Sequence, residues 1–343
     1  MGQKKELTLI VFSVISLFLI AGCGSEEVSD SPFLEGSKGI EISFLQGNPP
    51  DEVTDNRNFP FQTIVSLVNQ GEIDLKKEQV EISLTGFLPE NFRARDGIDD
   101  NRDGDVTDDD DFVDEDLTYK NPNDDLTARK KDSEGNMLEP VQVSKTFPKR
   151  DKFFNFKKNL RGNTPFLFKA EVCYNYQTKA VSEICVLENM IDIIDDAPCD
   201  PSESKSVFSS ASPVGVTAFR QNVVGKDKIQ FSFDIVHSGS GDVFAFTDFA
   251  GTDENCPVLP STRRSKEDKV KVTIDTGIPK TVSALSCVGG FSDTPDVDVT
   301  SQQGIVKLVN GKRTVTCAQA ITSPTDFIKS VEIELDFNYL DSA

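Results

Sequence analysis

The chain has no tryptophan and a single histidine, His237, among its 343 residues. One histidine and the absence of any CxxC pair leave no clear ligand set for a structural zinc ion. The sequence also lacks the GxSxG, HExxH, Walker and dinucleotide-binding patterns that mark common enzyme sites. His237 lies near Ser238 and Ser240, but the sequence shows neither an orienting acid nor an oxyanion hole, so we interpret it as a surface or turn residue. We therefore predict no enzymatic activity and no catalytic residues.

Positive charge is scarce. Lysine and arginine total 36 against 57 aspartates and glutamates, which gives a formal net charge of -21. Nucleic acids and anionic lipid surfaces would repel such a chain, so neither is an expected partner, whereas solubility and cation binding are favoured. Long helical periodicities are also few, and 25 phenylalanines stand among short alternating segments. This composition indicates a β-rich protein.

The first residues indicate where the protein is located. After Lys4 and Lys5, residues 7–19 form an apolar run that is short for a membrane span, and it ends in the sequence IAGC at residues 20–23. This end resembles the lipobox of bacterial and some archaeal lipoproteins, in which small residues precede an obligatory cysteine. The resemblance implies a signal peptide at residues 1–22 and lipidation of Cys23 through its sulfur; an uncleaved transmembrane anchor is the alternative.

The lipobox resemblance implies an extracytoplasmic protein that a lipid anchor holds on the membrane, at the cell surface or facing the periplasm. Two or more acyl chains would hold it durably. Residues 23–38 are small, polar and acidic, which predicts a flexible tether between the anchor and the first folded residues.

The remaining cysteines support an oxidising compartment, because they are even in number. They are Cys173, Cys185, Cys199, Cys256, Cys287 and Cys317. Residues 166–176 and 180–187 resemble the arms of a hairpin, so we predict a Cys173–Cys185 disulfide. The other expected pairs are then Cys287–Cys317 and Cys199–Cys256. Metal ligation is the less favoured alternative.

Alternating apolar residues predict an all-β fold. Residues 40–45, 59–68 and 79–87 alternate as half-buried strands, separated by turn signals. A similar order returns at residues 212–219 and 229–239. Further strands are expected at residues 270–275, 281–287, 304–309, 313–317 and 329–339, with Asn310-Gly311 as a hairpin turn before residue 313.

The strand order resembles the CARDB-like members of the immunoglobulin-like sandwiches, whose second long strand ends in an asparagine-x-glycine turn. Asn69-Gln70-Gly71 has this form, and His237-Ser238-Gly239 departs from it at the first position. The resemblance implies two immunoglobulin-like antiparallel β-sandwiches in tandem. We place the first at residues 39–198, with an acidic irregular insert at about 91–140, and the second at residues 199–343.

The insert holds the one segment with explicit chemistry. Residues 96–116 contain twelve acidic side chains and one arginine, for a net charge of -11. Residues 99–110 place oxygen donors at positions one, three, five and nine, glycine at six and a carboxylate at twelve, as a calcium loop requires.

This loop resembles the EF-hand and, more closely, the dockerin type, with thrombospondin-like aspartate repeats as a second match. The resemblance implies a structural calcium ion as the cofactor. The implied ligands are Asp99, Asn101, Asp103, Asp105, Thr107 and Asp110, with Asp105 acting through its backbone carbonyl. A solvated acidic insert without a fixed ligand is the alternative reading.

These observations favour a membrane-anchored surface lipoprotein that acts as an adhesion, scaffold or ligand-binding module. Its expected partners are the membrane, through the lipid anchor, and a protein or glycan ligand at the cell surface. Two alternatives stay open: a secreted hydrolase or its accessory subunit with a carboxylate-based site, and a subunit of a surface assembly that pairs through strand edges.

Overall fold

The protein consists of antiparallel β-sheets, as the alternating sequence predicts. The computed structural model describes residues 31–55, 59–87, 92–95, 121–132, 134–148, 152–156, 159–193, 196–247, 255–257, 260–278, 285–293, 301–321 and 325–343. Residue contacts divide the chain into Met1–Pro32 and Phe33–Ala343, and the fold below is that of the second unit.

Nineteen strands lie within the described ranges, together with a 3-10 turn at Lys77–Gln79 and one short helix, α1 (Pro260–Lys266). The strands are β1 (Ile40–Phe44), β2 (Thr63–Asn69), β3 (Val80–Thr85), β4 (Phe92–Arg95), β5 (Lys130–Lys131), β6 (Met137–Leu138), β7 (Val143–Phe147), β8 (Phe153–Phe156), β9 (Lys169–Val186), β10 (Val207–Ser209), β11 (Val214–Val223), β12 (Lys228–His237), β13 (Asp242–Ala245), β14 (Lys269–Asp275), β15 (Ser286–Val288), β16 (Phe291–Asp293), β17 (Ser301–Lys307), β18 (Lys312–Ala320) and β19 (Phe327–Ser342).

Three sheets carry most of the fold. The largest follows the order β10-β9-β19-β14-β17-β16, with β3 also paired to β9 and β13 to β19. A three-stranded sheet has the order β1-β2-β7, and a four-stranded sheet has the order β11-β12-β18-β15. Buried residues of all three sheets belong to one hydrophobic cluster. Every pairing between these strands is antiparallel.

A long ribbon of β9 and β19 runs through the largest sheet. The two strands pair from Phe327 opposite Val186 to Ser342 opposite Glu171. One end of β9 also pairs with β3 and the other with β10, while β19 pairs with both β14 and β13. The ribbon therefore joins strands from the early and the late parts of the chain into one sheet.

The hairpin predicted around residues 177–179 is wrong, because β9 continues through them without a turn. Thr178 is fully buried there and lies opposite Leu335 of β19. Its hydroxyl hydrogen-bonds to the carbonyl oxygen of Val214. Tertiary pairing thus satisfies the polar residues that the local pattern assigns to a turn.

The sheet also crosses the predicted domain boundary at residues 198 and 199, since β9 precedes it and β19 follows it. The all-β antiparallel class is confirmed, whereas two separate tandem sandwiches are not. The division of the chain at that boundary stays a prediction.

The other predicted strands agree with observed strands to within about four residues at their ends, except the one at residues 281–287. That prediction overlaps β15 at two residues only, and residues 281–284 lie outside the described ranges. The Asn310-Gly311 turn is confirmed: both residues have positive φ, 51° and 74°, as a two-residue hairpin turn requires. Val309 and Lys312 bridge across it.

Three disulfides join all six of the expected cysteines. They are Cys173–Cys256, Cys185–Cys199 and Cys287–Cys317. The Cys287–Cys317 prediction is confirmed, and these residues lie directly opposite each other on β15 and β18.

The other two predicted pairs, Cys173–Cys185 and Cys199–Cys256, are wrong. Cys173 and Cys185 stand at opposite ends of the continuous β9, which places them about 40 Å apart at a strand's rise per residue. A disulfide requires Cα atoms within about 7 Å of each other. Each cysteine instead reaches a loop that lies against its own end of the ribbon.

Candidate functional site

A polar cleft of about 200 Å³ opens where the chain enters β1 and where β19 ends. Residues 37–42 form one wall, and the turn before β13 forms the other with the end of β19. The lining side chains that carry polar groups include Lys38, Glu41, Ser240, Tyr339 and Asp341. The start and the end of the folded chain therefore meet at this one site.

A carboxylate fixes the segment that leads into the cleft. Glu72 accepts hydrogen bonds from the backbone N–H groups of Leu34 (2.8 Å) and Ala211 (2.6 Å) through its two oxygens. The Ser212 N–H also donates to the Gly36 carbonyl at 3.1 Å. Residues 34–36 are thus held against the loop before β11, and this contact positions residues 37–39 at the cleft.

The wall formed by β1 is the free edge of its sheet, because β1 pairs with β2 alone. The Gln70 N–H donates to Gly39 and the Leu45 N–H donates to Ile64, both at 2.9 Å. Backbone groups alternate in direction along an antiparallel strand, so the odd-numbered residues of β1 point to β2. The even-numbered residues point their N–H and C=O groups into the cleft or away from the sheet.

One of these edge donors is already occupied. The Ile40 N–H donates to the hydroxyl of buried Tyr174 at 3.2 Å. Within the described ranges, no backbone group pairs with Ile42 or Phe44 on this side. The strand therefore presents free main-chain donors and acceptors beside the cleft.

Glycines allow the opposite wall to lie close to the ribbon. A Cβ at Gly239 would collide with the Tyr339 hydroxyl, and one at Gly241 would collide with the Leu340 carbonyl. The Ser240 hydroxyl lies 3.3 Å and 3.4 Å from the two carboxylate oxygens of Asp341. Among the described residues, no lysine or arginine forms an ion pair with Asp341, although Lys38 lines the same cleft.

Tyr339 forms the floor of the cleft and anchors the turn above it. Its hydroxyl oxygen accepts the Gly241 N–H at 2.7 Å and lies 3.2 Å from His237 Nε2. Because the oxygen already accepts from Gly241, we assign the hydroxyl hydrogen to Nε2 of a neutral imidazole.

The ionisation of both rings agrees with that assignment. Burial lowers the pKa of His237, against the opposing charges of Asp242, Asp268 and Asp341. Burial also raises the pKa of Tyr339, so the phenol keeps its hydrogen at neutral pH.

Two further buried tyrosines extend this aromatic group. Ring centroids lie 5.6 Å apart between Tyr174 and Tyr339, and 5.8 Å apart between Tyr174 and Tyr176. Burial raises the pKa of Tyr174 and of Tyr176 as well. A buried, neutral aromatic group therefore lies behind Tyr339, the one tyrosine among the described residues that line the cleft.

The arrangement offers recognition groups. His237 contacts a tyrosine, and the described contact of the Ser240 hydroxyl is the Asp341 carboxylate, so these residues do not form a serine–histidine pair. The cleft presents a strand edge, the Asp341 carboxylate, the Lys38 ammonium and a second carboxylate, Glu41, which accepts from the Gln70 side chain at 2.9 Å. Such groups bind main-chain amides and cations.

The predicted lipidation and calcium sites lie outside the part of the chain that the structure describes. Cys23 lies outside the described residues, and so do the proposed calcium ligands Asp99, Asn101, Asp103, Asp105, Thr107 and Asp110. Elsewhere, the described ranges hold no group of three or more histidine, cysteine or acidic side chains suited to a metal ion. Among the same ranges, no helix reaches the length and apolar character needed to cross a bilayer.

The sequence reasoning missed Glu72, Tyr339 and Asp341. Tyr339 has a signal that could have indicated its role: it continues the inward-facing alternation of β19, so its hydroxyl must find a buried partner. Glu72 and Asp341 stand among many other acids and carry no such signal.

Comparison with known proteins gives no family for this chain. No protein-family model matches it, and no curated protein matches it significantly.

Proposed function

We propose that the protein is a lipid-anchored extracytoplasmic module that acts by contact with a surface ligand, through the cleft between β1 and the end of β19. The lipobox at residues 20–23 supports the anchor, and three disulfides accord with an oxidising compartment. Two immunoglobulin-like lobes that share the β9–β19 ribbon belong to this proposal.

The observation that carries the contact role is the hydrogen bonding inside the cleft. Tyr339 engages His237, and Asp341 engages Ser240, so the polar side chains hold the walls in place. The groups left facing outward are main-chain edge groups, carboxylates and the Lys38 ammonium. That set supports binding better than it supports attack on a substrate.

The anchor is tested by labelling cells that express the full chain with an alkyne-tagged fatty acid. We expect label on the wild type in the membrane fraction and none on Cys23→Ala. Protease added to intact cells should remove the labelled wild-type protein if it faces outward. An unlabelled wild type, or one that is protected from protease in the cytoplasm, would refute the anchor.

The contact role needs a variant that blocks the cleft but keeps the anchor. Ser240→Trp places an indole at the rim, where Ser240 is exposed and has Asp341 as its described side-chain contact. Surface extracts passed over the wild type should yield a retained protein or glycan that is lost from Ser240→Trp. Equal recovery from both proteins would show that the cleft does not bind it.

Calcium in the acidic insert is a further part of this proposal, supported by the spacing of residues 99–110. Extracellular sites of this kind bind at roughly 0.1 to 1 mM. Calorimetric titration should show calcium binding to the wild type and a weaker site in Asp103→Ala. The matched control is Asp132→Ala, which removes an acid from the described turn before β6. Absence of heat with the wild type would remove calcium from the proposal.

A further inference from the structure

The cleft has the form of a vacant strand position. Its volume of about 200 Å³ is below the range of about 300–1,000 Å³ that encloses typical small-molecule ligands. One of its walls is a five-residue strand with an unpaired edge. A shallow space beside an open edge suits an extended polypeptide, which needs main-chain partners more than it needs enclosure.

The pattern of free groups fixes where such a segment would pair. The Tyr174 hydroxyl occupies the Ile40 N–H, so the available groups begin at the Ile40 carbonyl and continue with the N–H and C=O of Ile42. Ile42 itself packs against the core through its side chain. The edge is thus held in position before any ligand arrives, which limits the ordering cost of binding.

The charged side chains at the cleft indicate which side chains a bound segment would carry. Asp341 faces the cleft with only hydroxyl and N–H donors near it in the described structure. Lys38 is the cation among the described lining residues, and its nearest approach to Glu41 is 4.0 Å with both side chains largely exposed. A lysine or arginine on the ligand would supply the missing partner of Asp341.

A second copy of this chain suits the edge poorly. Each copy carries a formal charge of -21, and pairing β1 with β1 would bring two Glu41 carboxylates and two acidic rims together. The tether is also acidic, with Glu26, Glu27 and Asp30 before residue 31. A basic partner removes this repulsion.

We infer that the cleft binds an extended basic segment of a partner protein, which adds as a strand to the free edge of β1 and places a lysine or arginine against Asp341. The inference rests on the proposed contact function and names the chemistry of the ligand.

The test uses the full-length chain in detergent and a fluorescent synthetic peptide in which valine and lysine alternate. Binding is followed by anisotropy, with a valine–glutamate peptide and a lysine peptide interrupted by prolines as comparisons. We expect the valine–lysine peptide to bind tightest. The proline peptide should bind at least about tenfold more weakly, because it cannot pair along the edge.

Comparison of Ile42→Pro with Ile42→Ala separates the effect of the Ile42 main-chain N–H from the effect of its side chain. Both variants lose the isoleucine side chain, but only proline removes the N–H that faces the cleft, and that N–H is not part of the β1–β2 ladder. We expect the proline variant to bind about tenfold more weakly than the alanine variant, through the lost donor and the blocked edge. Neither substitution alters charge, so non-specific attraction to an acidic chain affects both equally.

Asp341→Asn should remove most of the preference for lysine over glutamate peptides. The matched control is Asp275→Asn, which neutralises an acid on β14 outside the cleft lining and should keep the preference. If Ile42→Pro fails to fold by circular dichroism, Ser240→Trp replaces it, since it fills the cleft and leaves β1 intact.

Equal binding to Ile42→Pro and Ile42→Ala would overturn the inference, as would equal loss in Asp341→Asn and Asp275→Asn. A peptide-dependent dimer in sedimentation would also overturn it, since the edge would then pair with a second copy. Fatty-acid labelling of Cys23 is measured on the same preparations. A labelled chain that fails the peptide test refutes the strand site alone, whereas an unlabelled chain refutes the anchor.

Discussion

Replacing Tyr339 with phenylalanine tests the physical account of the cleft floor. The substitution keeps the buried ring and removes the hydroxyl that accepts from Gly241 and contacts His237. Near neutral pH we expect a loss of about 1–2 kcal/mol in the free energy of unfolding, because the variant removes two hydrogen bonds of ordinary net value.

The larger effect of Tyr339→Phe is on the pH dependence. Tyr174, Tyr176 and Tyr339 are at most 2% exposed, and burial raises the pKa of each. Below about pH 10 the phenols keep their hydrogens in both the folded and unfolded states, so their contribution to stability is fully present. Above that pH the unfolded chain loses protons that the folded chain retains, and stability falls as pH rises toward the folded pKa values.

The slope of that fall gives the magnitude. Each buried tyrosine contributes about 1.4 kcal/mol per pH unit above its ordinary pKa, so three contribute about 4.1. Tyr339→Phe should reduce the slope to about 2.7 kcal/mol per pH unit. Domains are typically stable by about 5–15 kcal/mol. Because Tyr339→Phe loses this stability more slowly above about pH 10, it should unfold at a higher pH than its stability at neutral pH alone would indicate.

Urea unfolding followed by circular dichroism between neutral pH and pH 12 measures the slope, because the chain has no tryptophan for fluorescence. Tyrosinate absorbance, recorded in parallel, should rise for the three buried rings only as the sheet signal is lost. The reasoning is refuted if wild type and Tyr339→Phe have equal slopes. It is also refuted if these rings ionise near pH 10 in the folded protein.

Three smaller predictions concern other parts of the fold. His237 has a lowered pKa, so its contribution to stability is present above about pH 6.5 and is lost as pH falls below it. His237→Gln should therefore reduce the dependence of the free energy of unfolding on pH below about pH 6.5, as urea unfolding at several pH values would show. Glu72→Ala should lower the free energy of unfolding by about 2–4 kcal/mol and speed proteolysis at residues 34–39. Glu72→Gln should show smaller changes in both, as denaturation and limited proteolysis would measure. Serine replacement of the pair Cys173–Cys256 should cost about 4.6 kcal/mol and that of Cys185–Cys199 about 3 kcal/mol, because the closed loops span 83 and 14 residues; equal denaturation midpoints would contradict the loop-length argument.

Alternation alone was enough to predict the β-class and the positions of about half of the strands, whereas shorter ones such as β7, β10 and β13 were not predicted. It succeeds at β19 because Val331, Ile333, Leu335 and Phe337 face one core, and at Asn310-Gly311 because few residues tolerate two successive positive φ values. These signals are local, and each is determined by a few neighbouring residues.

The same reasoning failed at residues 177–179 because a long-range partner decided the outcome. Gln177, Thr178 and Lys179 resemble a turn by composition, but β19 lies opposite them over their whole length. Once β9 is continuous, its two cysteines cannot meet, and the error in the hairpin leads directly to the error in the disulfides. No property of residues 166–187 taken alone contains that information.

The cleft could not be predicted from local sequence either, because its walls come from distant parts of the chain. Its walls come from residues 37–42 and 339–342, nearly three hundred residues apart, and the β9–β19 ribbon joins them because Tyr174 of β9 touches both Ile40 and Tyr339. The Glu72 contact holds the incoming segment at the same place.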